Sequence, residues 1–104
     1  MTSYDDPAHL SRILDMTADH ETLHDAEFIN ATDSGYYYLV LRSWPHPDID
    51  DAHTVSLRYA YLTKGSGSDG WTENGVNMRA ENLVWFMDVL AAMFESTADD
   101  LRGN

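Results

Sequence analysis

The sequence VSLRYAYL at residues 55–62 and the sequence NLVWFMDVLAAMF at residues 82–94 decide the fold. The first alternates along its length and is rich in branched and aromatic residues, which predicts a strand. A Gly/Ser loop and a short second strand at 76–78 follow it. The second sequence carries apolar residues at helical spacing, which predicts a helix. This strand–loop–strand–helix unit organises the rest of the chain.

The predicted helix at 82–94 is apolar nearly all round. A core stripe on one side is accompanied by apolar residues over most of the other side, among them Val84, Trp85 and Met87. A single small sheet covers only one side of a helix, so the pattern predicts that a second subunit covers the other. The residues expected at this homodimer interface are Trp85, Phe86, Val89, Leu90 and Met93.

Composition limits the classes of protein. The 104 residues suffice for one domain, there are no cysteines for disulfides or thiolate metal sites, and no apolar run approaches a membrane span. The start of the chain has neither a basic n-region nor an apolar h-region. We therefore expect a soluble cytoplasmic protein.

The net charge of -12, from 18 acidic residues against 6 Lys and Arg, disfavours strong non-specific nucleic-acid binding. Two interpretations stay open: adaptation of a whole proteome to salt, or an acidic surface that binds a basic protein or mimics nucleic acid. The segment 35–68 is the least acidic, because its three acids are accompanied by Arg42, Arg58 and Lys64.

The remaining elements follow from local signals. Asp6 and Pro7 predict a helix start, with an end near residues 15–17. Residues 19–25 read as a polar connector and 27–31 as a first strand with Phe28 inward. The clearest strand is 36–44, apolar on both faces, so one face is expected to pack on the helix and the other to present aromatic side chains. Prolines break it into a long hairpin loop at 45–51. A fourth strand is expected from 71 to 78.

The predicted fold class is α+β. It has a four-stranded antiparallel sheet followed by a long apolar C-terminal helix that packs in a homodimer, with a short extra N-terminal helix. The predicted divisions are 1–26 for the N-terminal helix and acidic connector, 27–95 for the sheet-and-helix domain, and 96–104 for a frayed acidic tail.

This order of elements resembles the positive-cofactor-four family of single-stranded-DNA-binding transcriptional coactivators. The resemblance covers roughly residues 28–94, and it rests on VLRSW at 40–44, VSLRYAY at 55–61 and GVNMRAENL at 75–83. It implies a homodimeric, non-enzymatic module without a cofactor that binds single-stranded nucleic acid through a sheet face. The family's stacking aromatics correspond to Trp44 and Tyr61, and its basic contacts to Arg42 and Arg58.

The chain departs from that family where the family is basic. Glu73 and Asn74 stand before the glycine of the fourth strand, and an acidic loop follows the second. The alternative function is therefore an acidic protein-interaction module, or a nucleic-acid mimic, that has lost DNA binding. Arg42 and Arg58 then pair with carboxylates, and the strand aromatics then serve as core or dimer contacts.

One further motif, HETLH at 20–24, matches the H-E-x-x-H pattern of zinc proteases. That pattern needs a buried helix with the two histidines one turn apart, a third ligand and a cleft. The flanking residues are acidic and only Leu23 is apolar, so a solvated connector is the better interpretation. His46 and His53 bracket an acidic loop that fits no calcium-binding pattern.

Overall fold

The computed structural model describes residues 6–103. Two helices and four strands lie in this range: α1 (Pro7–Met16), β1 (Thr22–Ala31), β2 (Gly35–Pro45), β3 (His53–Thr63), β4 (Gly70–Ala80) and α2 (Leu83–Leu101). The strands form one antiparallel sheet in the order β1-β2-β3-β4. The predicted α+β arrangement of a four-stranded antiparallel sheet between a short N-terminal helix and a C-terminal helix is confirmed. The predicted divisions 1–26 and 96–104 include residues 1–5 and 104, which lie outside the described residues.

Helix α1 begins where its sequence predicts. The Asp6 carboxylate accepts a hydrogen bond of 2.9 Å from the Ala8 N–H, and Pro7 occupies the first turn. The helix packs its Ile13 side on one face of the sheet. There Ile13, Tyr38, Val40, Ala60 and Leu62 form a fully buried cluster. Burying each of the large side chains stabilises the fold by about 1.5–3 kcal/mol.

The opposite sheet face is covered by α2, and less completely. Leu39, Leu41, Leu57 and Met78 lie beneath this helix, yet none of its own side chains is fully buried. Asn82 caps it, because its Oδ1 accepts a hydrogen bond of 3.2 Å from the Trp85 N–H. No helix among residues 6–103 is both long and apolar enough to cross a membrane.

Helix α2 runs past Phe94 to Leu101, whereas a frayed tail was expected from residue 96. The apolar pattern stops at Phe94, but the backbone ladder continues, and the Arg102 N–H bonds the Ala98 carbonyl at 3.0 Å. An ion pair of 2.8 Å between Arg102 and Asp99 supports the last turn. Hydrophobic periodicity marks only the packed part of a helix, so it underestimated this one.

Strand β1 begins at Thr22, not at residue 27 as predicted. Its pairing with β2 shifts register between Leu23 and Asp25 and again between Phe28 and Asn30. Each bulge inserts a residue and reverses the alternation of the faces, so the two-residue period that marks a strand is lost. Phe28 nevertheless packs against the buried cluster, as expected.

The chain is more extended than a compact domain of its size. Its radius of gyration is 15.1 Å, and its extents are 42 × 40 × 23 Å. A compact chain of this length is expected near ~13 Å. The long helix on the less covered face accounts for part of this shape.

A charged contact holds α1 to the loop between β3 and β4. The Arg12 guanidinium donates two hydrogen bonds to Asp69, of 2.9 and 2.6 Å, and another of 2.8 Å to the Thr63 carbonyl. Asp69 also accepts a bond of 3.0 Å from the Thr63 N–H. The hydrogen bond from Arg12 holds the pKa of Asp69 below its ordinary value of 3.8.

We expect Asp69→Asn to lower the free energy of unfolding by about 2 kcal/mol at neutral pH, because it removes charge-assisted hydrogen bonds. Since the folded-state pKa is lowered, the stabilisation by Asp69 is present above pH 3.8 and is lost as the pH falls through the folded-state pKa. Urea unfolding at pH 7 and pH 3 should therefore show the difference between wild type and variant shrinking in acid. Glu81→Gln, which neutralises a surface carboxylate, is the control. An equal effect of both changes would contradict this role.

Candidate functional site

The four residues predicted to bind nucleic acid do not share one surface. Arg42, Trp44 and Arg58 lie on the sheet face that α1 covers, since Arg58 pairs in register with the buried Val40. Tyr61 lies on the opposite face. The expectation that β2 leaves a free aromatic face is therefore corrected, because α1 occupies one face and α2 covers part of the other.

Arg42 is a buried residue, only 5% exposed. Its Nη1 donates to Glu21 at 3.2 Å and its Nη2 donates to the Ser56 hydroxyl at 3.2 Å. The guanidinium lies 3.7 Å from the centre of the Trp71 ring. Burial lowers the pKa of Arg42, while the Glu21 carboxylate opposes that shift. This arrangement holds the sheet and the residues before β1 together, and it does not suit a phosphate contact at the surface.

Arg58 is also used within the fold. It donates bonds of 3.2 Å to the carbonyls of Thr72 and Glu73, and one of 3.3 Å to the Asn77 side chain. These acceptors all belong to β4, near a shift in its pairing with β3. Arg58 therefore ties the two strands together where their ladder is irregular.

The other cations of the chain are engaged as well. Arg79 pairs with Glu81 at 2.9 Å, and the Lys64 ammonium lies 4.9 Å above the Tyr36 ring. Together with the pairs of Arg12, Arg42, Arg58 and Arg102, this gives all six Lys and Arg residues an intramolecular partner. The surplus charge at the surface is therefore negative.

An aromatic patch lies on the α2 side of the sheet. The Tyr37 ring is 5.3 Å from that of Tyr61 and 6.5 Å from that of Tyr59, and all three are half-buried. The Tyr61 hydroxyl donates to the Ser34 carbonyl at 2.7 Å. Tyr61 thus joins a group of tyrosines and is separated from the arginines predicted to act with it.

The HETLH sequence does not form a helix. Thr22, Leu23 and His24 belong to β1, so the two histidines are not one helical turn apart. His24 Nε2 bonds Ser43 Oγ at 2.6 Å, and Glu21 pairs with Arg42. Across the described residues, no group of three or more His, Asp or Glu side chains is arranged to hold a metal ion.

One flank of α2 carries the residues predicted for the dimer interface. At 100° per residue, Trp85, Phe86, Val89, Leu90 and Met93 span an arc of about 140°. Trp85 is 63% exposed and Met93 is 58% exposed, while the other three are half-buried. We call these five residues the interface flank.

An apolar cavity of about 270 Å³ lies between α2 and the sheet. It is bordered by Met87, Ala91 and Phe94, which extend to the side of α2 away from the interface flank. Two acidic residues of β1 complete it. The full lining, which we call the α2 cavity, is Asp25, Glu27, Leu39, Leu41, Val55, Leu57, Met78, Met87, Leu90, Ala91 and Phe94.

Glu27 is the unusual residue of the α2 cavity. Its Oε2 is buried and has no hydrogen-bond partner among the described residues. Asp25 lies two positions earlier and accepts a bond of 2.9 Å from the Ala26 N–H. The sequence analysis missed both residues, because it placed Asp25 in a connector. The spacing of Asp25 and Glu27 at i and i+2, which places both on one face of a strand, was the signal that could have identified them.

Comparison of the chain with protein-family models, with curated proteins and with solved structures gives no match. The resemblance to the positive-cofactor-four family therefore stays a prediction.

We expect Arg42→Ala to cost about 3–5 kcal/mol of folding free energy, because Glu21 then keeps a half-buried charge without its partner. The double variant Glu21→Leu/Arg42→Met should recover most of that loss, since it removes both charges. Chemical denaturation of wild type, Glu21→Leu, Arg42→Met and the double variant gives the coupling energy. Additive losses would show that the two side chains act independently.

Proposed function

We propose that this protein is a homodimeric, non-enzymatic binding module whose acidic surface engages a basic protein. The observation that carries the proposal is that all six Lys and Arg residues have a partner within the chain, whose net charge is -12. Among the described residues, most carboxylates without a cationic partner are exposed to solvent, for example those of Asp48, Asp50 and Asp88. Such a surface attracts cationic partners and speeds their association.

The interface flank supports the homodimer. Trp85 and Met93 together expose a large apolar area on the side of α2 that the sheet does not cover. Contiguous apolar patches of this kind mark interaction sites in soluble proteins. A two-fold axis beside α2 would bring two identical flanks together, as an isologous interface requires.

Single-stranded nucleic acid has weaker support as the ligand. Phosphates are bound by Lys and Arg that release counterions, and here the cations already have partners. The tyrosine patch at Tyr37, Tyr59 and Tyr61 offers rings on which bases can stack, but the arginines predicted to accompany it lie on the other face.

Separate titrations with a basic peptide and with a single-stranded oligonucleotide test the proposal. We expect a fluorescein-labelled oligolysine peptide to bind the wild-type protein at low salt and to dissociate as salt rises, because surface charges are screened. A labelled oligothymidine of similar length should show no change in anisotropy. Binding of the oligothymidine alone, with loss of affinity in Tyr61→Ala, would overturn the proposal in favour of nucleic acid.

The dimer is tested on the interface flank. Met93→Glu should raise the dissociation constant of the dimer about 30-fold or more, because a charge replaces a buried apolar contact. Light scattering should then move from twice the chain mass towards the single-chain mass of 11.8 kDa. Val84→Glu is the matched control, since Val84 is 72% exposed and lies off the flank. A wild-type protein of single-chain mass at micromolar concentration would contradict the dimer.

A further inference from the structure

We propose that the α2 cavity is the anchoring site for the basic partner, taking one apolar side chain of the partner while a neighbouring Lys or Arg binds Glu27 and Asp25. This inference rests on the proposed function and deepens it. It assigns the acidic module a particular pocket and a particular partner chemistry, namely a segment in which apolar and cationic residues alternate or lie one turn apart.

The shape and lining of the α2 cavity fit one large apolar side chain. Its volume of about 270 Å³ lies just under the ~300–1,000 Å³ of small-molecule pockets. Nine of its eleven lining residues are apolar. The floor comes from β2 and β3 and one wall from α2. A Leu, Met or Phe inserted there would leave water for an apolar surface, which is the main source of affinity at protein interfaces.

The acidic edge of the cavity defines the charge of the occupant. Glu27 Oε2 is buried without a hydrogen-bond partner among the described residues, and a carboxylate oxygen in that position is costly. An ammonium or guanidinium placed beside it would donate the missing hydrogen bond. Asp25 lies on the same face of β1 and would share the charge. An anionic or neutral apolar occupant would leave Glu27 Oε2 buried without a hydrogen-bond donor.

A second copy of this chain is a poorer source of that cation, because each of its six Lys and Arg residues already has an intramolecular partner that it would have to leave. The interface flank also lies on the other side of α2 from Met87 and Ala91. The dimer and the cavity share Leu90 and otherwise use different sides of one helix, so a different protein can bind while the dimer is intact.

Strand pairing at the edges of the sheet is a poorer way to hold the partner. Strand β1 shifts register twice, and β4 shifts once near Gly75, where it opposes Arg58. Bulges twist an edge away from an incoming strand. Side-chain insertion beside Glu27 does not depend on a regular edge.

The first test uses the wild-type dimer and its methionine methyl groups. Met78 and Met87 line the cavity, Met93 lies on the interface flank, and Met16 lies on the α1 side of the sheet. Titration with a short Lys/Leu peptide should shift the NMR signals of Met78 and Met87 and leave that of Met16 in place. An oligolysine peptide of the same length, which lacks the apolar anchor, should bind about tenfold more weakly by anisotropy.

Variants then distinguish the contribution of the Glu27 charge from that of the open volume of the α2 cavity. Glu27→Gln should weaken binding of the Lys/Leu peptide about tenfold, whereas Glu73→Gln, an equal change of charge on exposed β4, should not. Ala91→Phe should fill the cavity and weaken binding similarly, whereas Ala8→Phe on exposed α1 should not. Thermal melting confirms that each variant folds, and the methionine shifts of the wild type need no variant.

The outcomes distinguish this inference from the proposed function. Equal affinity for the Lys/Leu and oligolysine peptides, with Met78 and Met87 unshifted, would overturn the anchoring site and leave the acidic binding module standing. Tighter binding of a Glu/Leu peptide than of the Lys/Leu peptide would overturn the assigned charge. If no basic peptide binds, both the anchoring site and the acidic binding module are overturned.

Discussion

The β2–β3 hairpin is apolar on both faces, and this constraint governs the rest of the structure. Tyr38 and Val40 on one face are fully buried, while Leu39 and Leu41 on the other lie under α2. Each face therefore needs its own cover. Helix α1 closes the first with a tight buried cluster, but α2 covers the second only in part. The open α2 cavity and the exposed interface flank both lie on this less complete side.

The buried Arg42 shows why α1 changes the functional interpretation. In the sequence, an arginine on an aromatic strand is typical of a phosphate contact. Nothing in the sequence indicates that the helix near the N-terminus will cover the face of the sheet on which Arg42 lies. In the fold, Glu21 and the Trp71 ring enclose the guanidinium beneath the α1 side of the molecule. The Glu21 carboxylate offsets the charge of Arg42, so this buried pair adds little to the external field. The negative charge of the exterior follows from the excess of 18 acidic residues over 6 Lys and Arg, and the buried Arg42 is not available at the surface to offset it.

The sequence predicted the regular elements well and the irregular ones poorly. Strands β2, β3 and β4 and helix α1 carry clear alternation, turn residues or a proline-assisted cap, so local chemistry was enough. The start of β1 was missed because its bulges break the period of two, and the end of α2 because its last turns are polar. The partners of Arg42 and the burial of Glu27 could not be predicted for a different reason. They are set by contacts between segments distant in sequence, which no local pattern records.

Helix α2 connects the two proposed interactions. Its interface flank and the residues that border the α2 cavity share the turn around Leu90, which belongs to both sets. If a second subunit holds one flank of α2, the helix loses freedom to shift over the sheet, and the cavity on its other flank becomes better defined. A partner bound in the cavity would likewise fix α2 in position for the proposed dimer. By thermodynamic linkage, any strengthening of one interaction by the other must be reciprocal. In the proposed dimer, the incomplete packing of α2 would make this helix the element through which dimerisation and partner binding affect each other.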